Sequence, residues 1–415
     1  MFEELDQVDW AHLWACGPGR GAEVPRLLRT LASSTDRGER TAALSKLAER
    51  VIYQGGSILE VTPYAVPFLL ELLSVETLEE HADLFALLIV IARAEPFAIG
   101  AGALDDYPDE AAAPPELQAR LAEERGWMRQ AYEAVELGVP TYLTFLTHPA
   151  GETRMRAAYL LSLFPRQAPV TVPALRARLA QEDDELVQAA LVSSLGDLLD
   201  SETALRQFVH PYLRAETPPL LRCLAALAYA RRAGSATPLE VVQILLEVIA
   251  SRETVEASFQ QLPQFHVAHY DSLAAHICET LAKIGPEQAI PALTAVLRGY
   301  SSAGRSMEEV PLIEEVQFWN ECEVAARSLL AAVFTEGELL SGTRPPKPLA
   351  LPLDQAQRTA LTVLVEDDVL WRPYAQLGDS QLYDLRQLFW DYDLPDSREA
   401  LGTLLQGHEA RPPQT

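Results

Sequence analysis

One short pattern recurs along this chain and limits what it can fold into. Val24-Pro25-Arg26-Leu27-Leu28, Val66-Pro67-Phe68-Leu69-Leu70, Val139-Pro140-Thr141-Tyr142-Leu143, Val172-Pro173-Ala174-Leu175-Arg176 and Ile290-Pro291-Ala292-Leu293-Thr294 share it, with a weaker copy at His210-Pro211-Tyr212-Leu213. Each predicts a short helix that begins near its proline, because the first turn has no use for the missing N–H and the apolar residues then recur at helical spacing. The steps from Pro25 to Pro67, Pro140 to Pro173 and Pro173 to Pro211 are 42, 33 and 38 residues, which are repeat lengths. The longer gaps of 73 residues to Pro140 and 80 to Pro291 hold added material.

A second helix is expected after each first one, opened by a polar residue and continued by Arg, Ala and Leu. Asp36 leads into Arg40-Thr41-Ala42-Ala43-Leu44, Glu152 into Arg156-Ala157-Ala158-Tyr159-Leu160, and Asp184 into Gln188-Ala189-Ala190-Leu191. Arg222 to Leu227, Ala274 to Gly285 and Ala325 to Leu330 continue the series. One such pair cannot bury its apolar face alone, so consecutive pairs must stack, and the expected fold class is all-α, a right-handed α-α superhelix.

Val-Pro with Leu in the first helix, and Asp, Arg, Ala-Ala, Leu and Gly in the second, resemble HEAT repeats. The copy ending Leu281-Ala282-Lys283-Ile284-Gly285 is similar to the HEAT-like repeats of the phycobilisome-lyase group. With its opening Trp10-to-Pro18 segment and Tyr53-Gln54-Gly55-Gly56 ahead of Pro63-Tyr64-Ala65-Val66-Pro67, the whole chain resembles large bacterial HEAT-repeat proteins. The likeness covers roughly four-fifths of the chain and speaks for fold rather than activity.

The organisation expected from this pattern starts with helix pairs over 1–97, followed by an acidic loop and helix inserted at 98–138. The repeats resume over 139–335, a Pro-rich linker spans 336–352, an atypical helical cap rich in aromatics spans 353–405, and a disordered tail follows at 406–415. Trp371, Tyr374, Tyr383, Phe389, Trp390 and Tyr392 form the aromatic content of the cap.

Charge decides the class of partner. The 415 residues carry 33 Lys and Arg against 59 Asp and Glu, a net charge of −26. Only Lys46, Lys283 and Lys347 are lysines, and the arginines are scattered rather than gathered into a basic stripe. Nucleic acid and anionic membrane are therefore excluded as expected partners, since phosphate contacts dominate such binding. The most apolar run, Leu84 to Ala92, is about half a membrane span. Cys16, Cys223, Cys278 and Cys322 lie far apart without metal-ligand or redox spacing, and the N-terminus is acidic where a signal peptide is basic. A cytoplasmic protein with reduced thiols is expected.

No catalytic or cofactor motif stands out. There is no nucleophile elbow, and Gly17-Pro18-Gly19 and Gly55-Gly56 read as turns or caps, too short for a phosphate loop. His266, His269 and His276, near Asp271, Cys278 and Glu279, gather three of the eight histidines within eleven residues, but no partner motif completes a metal site. The HEAT-type diiron hydroxylases use several His-Glu pairs, whereas the one here is His408-Glu409. The basic surface of HEAT-like DNA glycosylases is missing beside Trp127 and Trp319. An enzyme, metal-dependent or a degenerate lyase, is the alternative to a binding scaffold.

The stretch most suited to binding runs from 308 to 323. Glu308, Glu309, Glu314, Glu315, Glu321 and Glu323 surround Phe318 and Trp319 without one basic residue, an aromatic anchor in an acidic rim that fits a protein or peptide with a basic surface. The competing structural expectation is that Phe318 faces the core and the glutamates decorate the start of a helix, where acids are favoured. Glu182-Asp183-Asp184-Glu185 is expected to cap a helix. The functional expectation is thus a non-enzymatic protein-interaction scaffold, in its most specific form an inhibitor or immunity protein for a cationic toxin or nuclease.

Overall fold

The structure, a computed structural model, describes residues 2–16, 20–53, 56–75, 77–94, 111, 113–263, 272–304, 312–334, 352–371, 388–389, 392 and 394–409. Glu308, Glu309, His266, His269, Asp271, Tyr374, Tyr383, Trp390, nearly all of the linker and most of the acidic loop lie outside these residues. The chain divides into two compact units, Met1–Leu199 with Leu262–Val267, and Asp200–Gln261 with Ala268–Thr415. The division falls inside the run of repeats expected over 139–335.

In the first unit the helices are α1 (Val24–Ser33), α2 (Arg37–Val51), α3 (Thr62–Leu73), α4 (His81–Ala92), α5 (Pro115–Glu136), α6 (Val139–Thr144), α7 (Gly151–Ser162), α8 (Ala168–Leu179) and α9 (Glu185–Leu198). A two-residue hairpin, β1 (Ile52–Tyr53) with β2 (Ser57–Ile58), follows α2 and pairs Ile52 with Ile58 across a turn closed by Gly56 at φ 93°. The helices pack on near neighbours in the sequence: α1 on α2 and α3, α4 on α7, and α7 on both α8 and α9. Second helices of successive pairs thus form one row, α4 to α7 to α9.

The apolar run from Leu84 is the body of α4. Leu84, Phe85, Leu87, Leu88, Ile89 and Ile91 are all buried because α3, α5 and α7 cover α4 from several sides. Among the described residues no helix is long and apolar enough to cross a membrane. Helix α5, expected within an insertion, packs against both α3 and α4 and buries Leu121, Ala131 and Val135. At its end Gly138 is required by close approach, since a Cβ there would overlap the Tyr142 hydroxyl and Leu70.

The second unit holds α10 (Glu202–Val209), α11 (Pro219–Ala233), α12 (Leu239–Ala250), α13 (Glu256–Phe259), α14 (Leu273–Ala282), α15 (Pro286–Gly304), α16 (Leu312–Phe334), α17 (Gln355–Glu366) and α18 (Arg398–Glu409). The same two-step packing recurs: α11, α14 and α16 form one row and α12, α15 and α17 another. Gly285, closing the Leu-Ala-Lys-Ile-Gly signature, has φ 89°, a conformation that a side chain disfavours. Helix α18 runs through Glu409, so the first residues of the expected tail are helical.

The prolines sit differently from expectation in three copies. Pro25 and Pro140 do stand in the first turn, but Pro67, Pro173 and Pro291 lie inside α3, α8 and α15. An earlier proline, Pro63, Pro169 or Pro286, opens each of those helices instead. An interior proline deletes one i to i−4 bond, which a helix anchored by packing on its neighbours tolerates better than an isolated one. The expected caps form: the Asp36 carboxylate accepts the Glu39 N–H at 2.9 Å, and Asp184 accepts those of Leu186 and Val187 at 2.9 and 3.2 Å.

Candidate functional site

Helix α16 carries most of the residues singled out for partner binding. Phe318, Cys322, Ala325, Ala326, Leu329 and Leu330 recur at helical spacing and are all buried, where α14, α15 and α17 pack on α16. Trp319, expected at the binding surface, is turned inward as well, its ring 5.2 Å from Phe318, which in turn meets Tyr300 at 6.0 Å. Phe318 thus faces the core, the structural expectation. Glu314 and Glu315 lie on the first turns of α16.

Glu321 is also interior, with its side chain 3% exposed. The 308–323 stretch supplies no cation, and the fold brings one from elsewhere. Arg252, on a 3-10 turn at Arg252–Thr254, places its guanidinium 2.9 Å from the Glu321 carboxylate and 5.3 Å over the Tyr300 ring. A buried carboxylate without such a partner would cost several kcal/mol, about 3–5 for breaking a buried pair. Glu321 is therefore engaged within the protein and does not present its charge to a partner. Glu323 meets Arg327 one turn later at 2.9 Å.

The surroundings of Glu321 suppress ionisation nearby. Burial, followed by the charge of Glu321, pushes the Tyr300 hydroxyl and the Cys278 thiol up. Cys322 is raised by burial first, then by Asp367 and Glu321. In the same unit burial pushes Cys223 up to about 12. Burial thus favours the protonated form of these thiols and disfavours nucleophilic or metal-ligand chemistry at them. His276, the described histidine of the 266–276 group, packs on Phe259 at 5.6 Å. Among the described residues no three His, Cys, Asp or Glu side chains are placed to share a metal.

The first unit contains a repeated device that the Val-Pro and Ala-Ala patterns do not announce. At the fourth residue of α2 and of α7, an arginine folds back on the turn before its own helix and forward onto a buried glutamate further along the chain. Arg40 donates to Ser34 O at 3.3 Å and to both Glu80 oxygens at 3.1 and 2.9 Å. Arg154 donates to His148 O at 2.9 Å and, in bidentate fashion, to Glu182 at 2.8 and 2.9 Å. Glu182 takes a second cation, Arg178, at 2.9 Å. Burial raises the Glu182 carboxyl, but the Arg154 hydrogen bond, the Asp184 N–H and the two guanidinium charges outweigh it and hold the group below its ordinary value. Within Glu182-Asp183-Asp184-Glu185, only Asp184 caps a helix through its side chain, while Glu182 is structural. The signal that could have found the device is an arginine at the same offset from the starts of α2 and α7.

No family model matches the chain, and no curated protein matches it. Among solved structures, the crystal structure of an engineered protein aligns over 94% of this chain and 99% of that one at 16% identity, with a TM-score of 0.29. A likeness at that score adds nothing to the packing described above.

Proposed function

We propose that this chain is a non-enzymatic protein-interaction scaffold, a right-handed HEAT-type α-solenoid whose concave acidic surface takes up a protein or peptide with a basic surface. An inhibitor or immunity protein acting on a cationic toxin or nuclease in the reducing cytoplasm is the most specific form of this reading. The two-step packing of first and second helices within each unit supports the solenoid, and the four free cysteines are in keeping with a reducing compartment.

The observation that carries the reading is the charge of −26. Arg40 and Arg252 each face one buried carboxylate and Arg154 and Arg178 share Glu182, so four of the cations are held against interior carboxylates and the negative excess falls on the remaining acidic side chains. A surface of this sign speeds and selects encounter with a cationic partner.

The test is affinity capture from native lysate at low and high salt, followed by charge reversal. Recovery of a basic protein in near-stoichiometric amount, released by salt and weakened by Glu314→Lys with Glu315→Lys, supports the scaffold. Recovery of no partner at either salt removes it. Glu321 is unsuitable for reversal, because its loss would break the pair with Arg252.

A further inference from the structure

The opening segment and α5 meet at two indoles. Trp14 and Trp127 have ring centroids 5.8 Å apart and planes inclined at 48°. Both are half-buried, unlike Trp10, which is buried with its Nε1 donating to Leu5 O at 2.7 Å, and unlike the interior Trp319. Two large aromatic faces are thus held in a tilted pair with part of their surface open.

Both indoles are held by ordered backbone. The Trp14 N–H donates to the Glu60 carboxylate at 2.9 Å, and its carbonyl accepts the Val61 N–H at 3.1 Å just ahead of α3. Trp127 stands in the middle of α5, and beside it a Cβ added at Gly126 would meet nothing within 4 Å, so that flank of the helix is open. One turn earlier on the same helix face, Glu123 is exposed. Arg50 donates to Cys16 O at 2.8 Å and is ion-paired with Glu23 at 2.7 Å, while the exposed Arg125 and Arg129, two residues to either side of Trp127, fall by helical spacing on other faces of α5.

We propose that the Trp14–Trp127 pair, flanked by Glu60 and Glu123, is the seat for an arginine or lysine side chain of the basic polypeptide. An indole face carries negative electrostatic potential and is the best aromatic receptor for such a cation, and carboxylates at its margin add long-range attraction without filling the face. The assignment rests on the acidic-scaffold reading and gives it an anchor in the first unit.

A nona-arginine peptide is the probe, with binding measured by isothermal titration at about 50 mM salt and by quenching of tryptophan fluorescence. Trp127→Leu, which keeps an apolar side chain and discards the indole, is expected to weaken binding about tenfold, with Trp127→Phe in between. Because Trp127→Leu also removes a packing contact, a charge pair on exposed residues provides the second arm. Glu123→Lys and Asp183→Lys change net charge equally, and Glu123→Lys is expected to weaken the peptide severalfold more. Equal weakening by the two lysine variants, or unchanged affinity in Trp127→Leu, overturns the seat while leaving the acidic scaffold in place. Absence of peptide binding to the unaltered protein overturns both together.

Discussion

The two units bury a carboxylate in different ways. In the first, Glu182 is gripped by Arg154 from the preceding helix pair and Arg178 from its own, and Arg40 grips Glu80 in the same way between α2 and the start of α4. In the second, Glu321 is met by Arg252, from a turn outside the helix pairs, amid an aromatic ring and two thiols. The difference teaches that a buried ion pair can recur between helices at matching positions, as Arg40–Glu80 and Arg154–Glu182 do, because each arginine is the fourth residue of its helix and each glutamate lies just ahead of the start of a later one. A single buried charge instead depends on whatever the wider fold delivers.

The largest effect should come from cutting the repeated device. Arg154→Ala is expected to lower stability by about 3–5 kcal/mol, read from urea midpoints, because it removes a bidentate partner and leaves Glu182 interior. A loss below about 1 kcal/mol would mean that Arg178 alone suffices and that the arrangement is redundant. Glu321→Gln should lose about 1.5–3 kcal/mol, less than the first variant, since Arg252 is 30% exposed and can turn to water. If it lost more, the single pair would outrank the repeated one and the comparison would reverse.

Acid sharpens the same contrast. Glu182 is held below the ordinary carboxylate value, so its contribution is present above the unfolded pKa near 4.5 and is lost as pH falls through the lower folded value. His81, also in the first unit, is depressed by burial and then by the charge of His148. Its unfolded form takes a proton near 6.5 that the folded form resists, so stability declines as pH drops below that point. The first unit is therefore expected to lose stability in two steps on acidification, and His81→Gln should abolish the upper one in a pH series of thermal melts. A pH-independent profile between 7 and about 5 would contradict the His81 environment. The smallest effect belongs to the Glu323–Arg327 pair on the face of α16, where Arg327→Ala should change stability by only about 0.3–0.5 kcal/mol.

Much of the fold is legible in neighbouring residues. Asp36 and Asp184 announce helix starts because a short acidic side chain satisfies N–H groups that the helix leaves open. The inward side of α16 is present in the spacing of Phe318, Cys322, Ala325 and Leu329, and that spacing also puts Glu321 beside the core. Composition weighed ahead of period places Trp319 and Glu321 on a binding surface instead, where an acidic, aromatic stretch resembles a hot spot. The Val-Pro pattern locates the first helices while misplacing three of their starts, since proline is tolerated both in the first turn and, under packing, one turn further in.

The sequence by itself determined what is local or repeated: helical class, paired helices, caps, the sign of the charge and the apolar character of α4. Periodicity and capping act within a few residues, so they are written in neighbouring letters. Only the tertiary structure decided that Arg252 neutralises Glu321, that α5 packs against both α3 and α4, and that Trp14 lies against Trp127. Those partners are far apart in the chain, and their meeting depends on the summed packing of every helix between them, which no short stretch of sequence encodes.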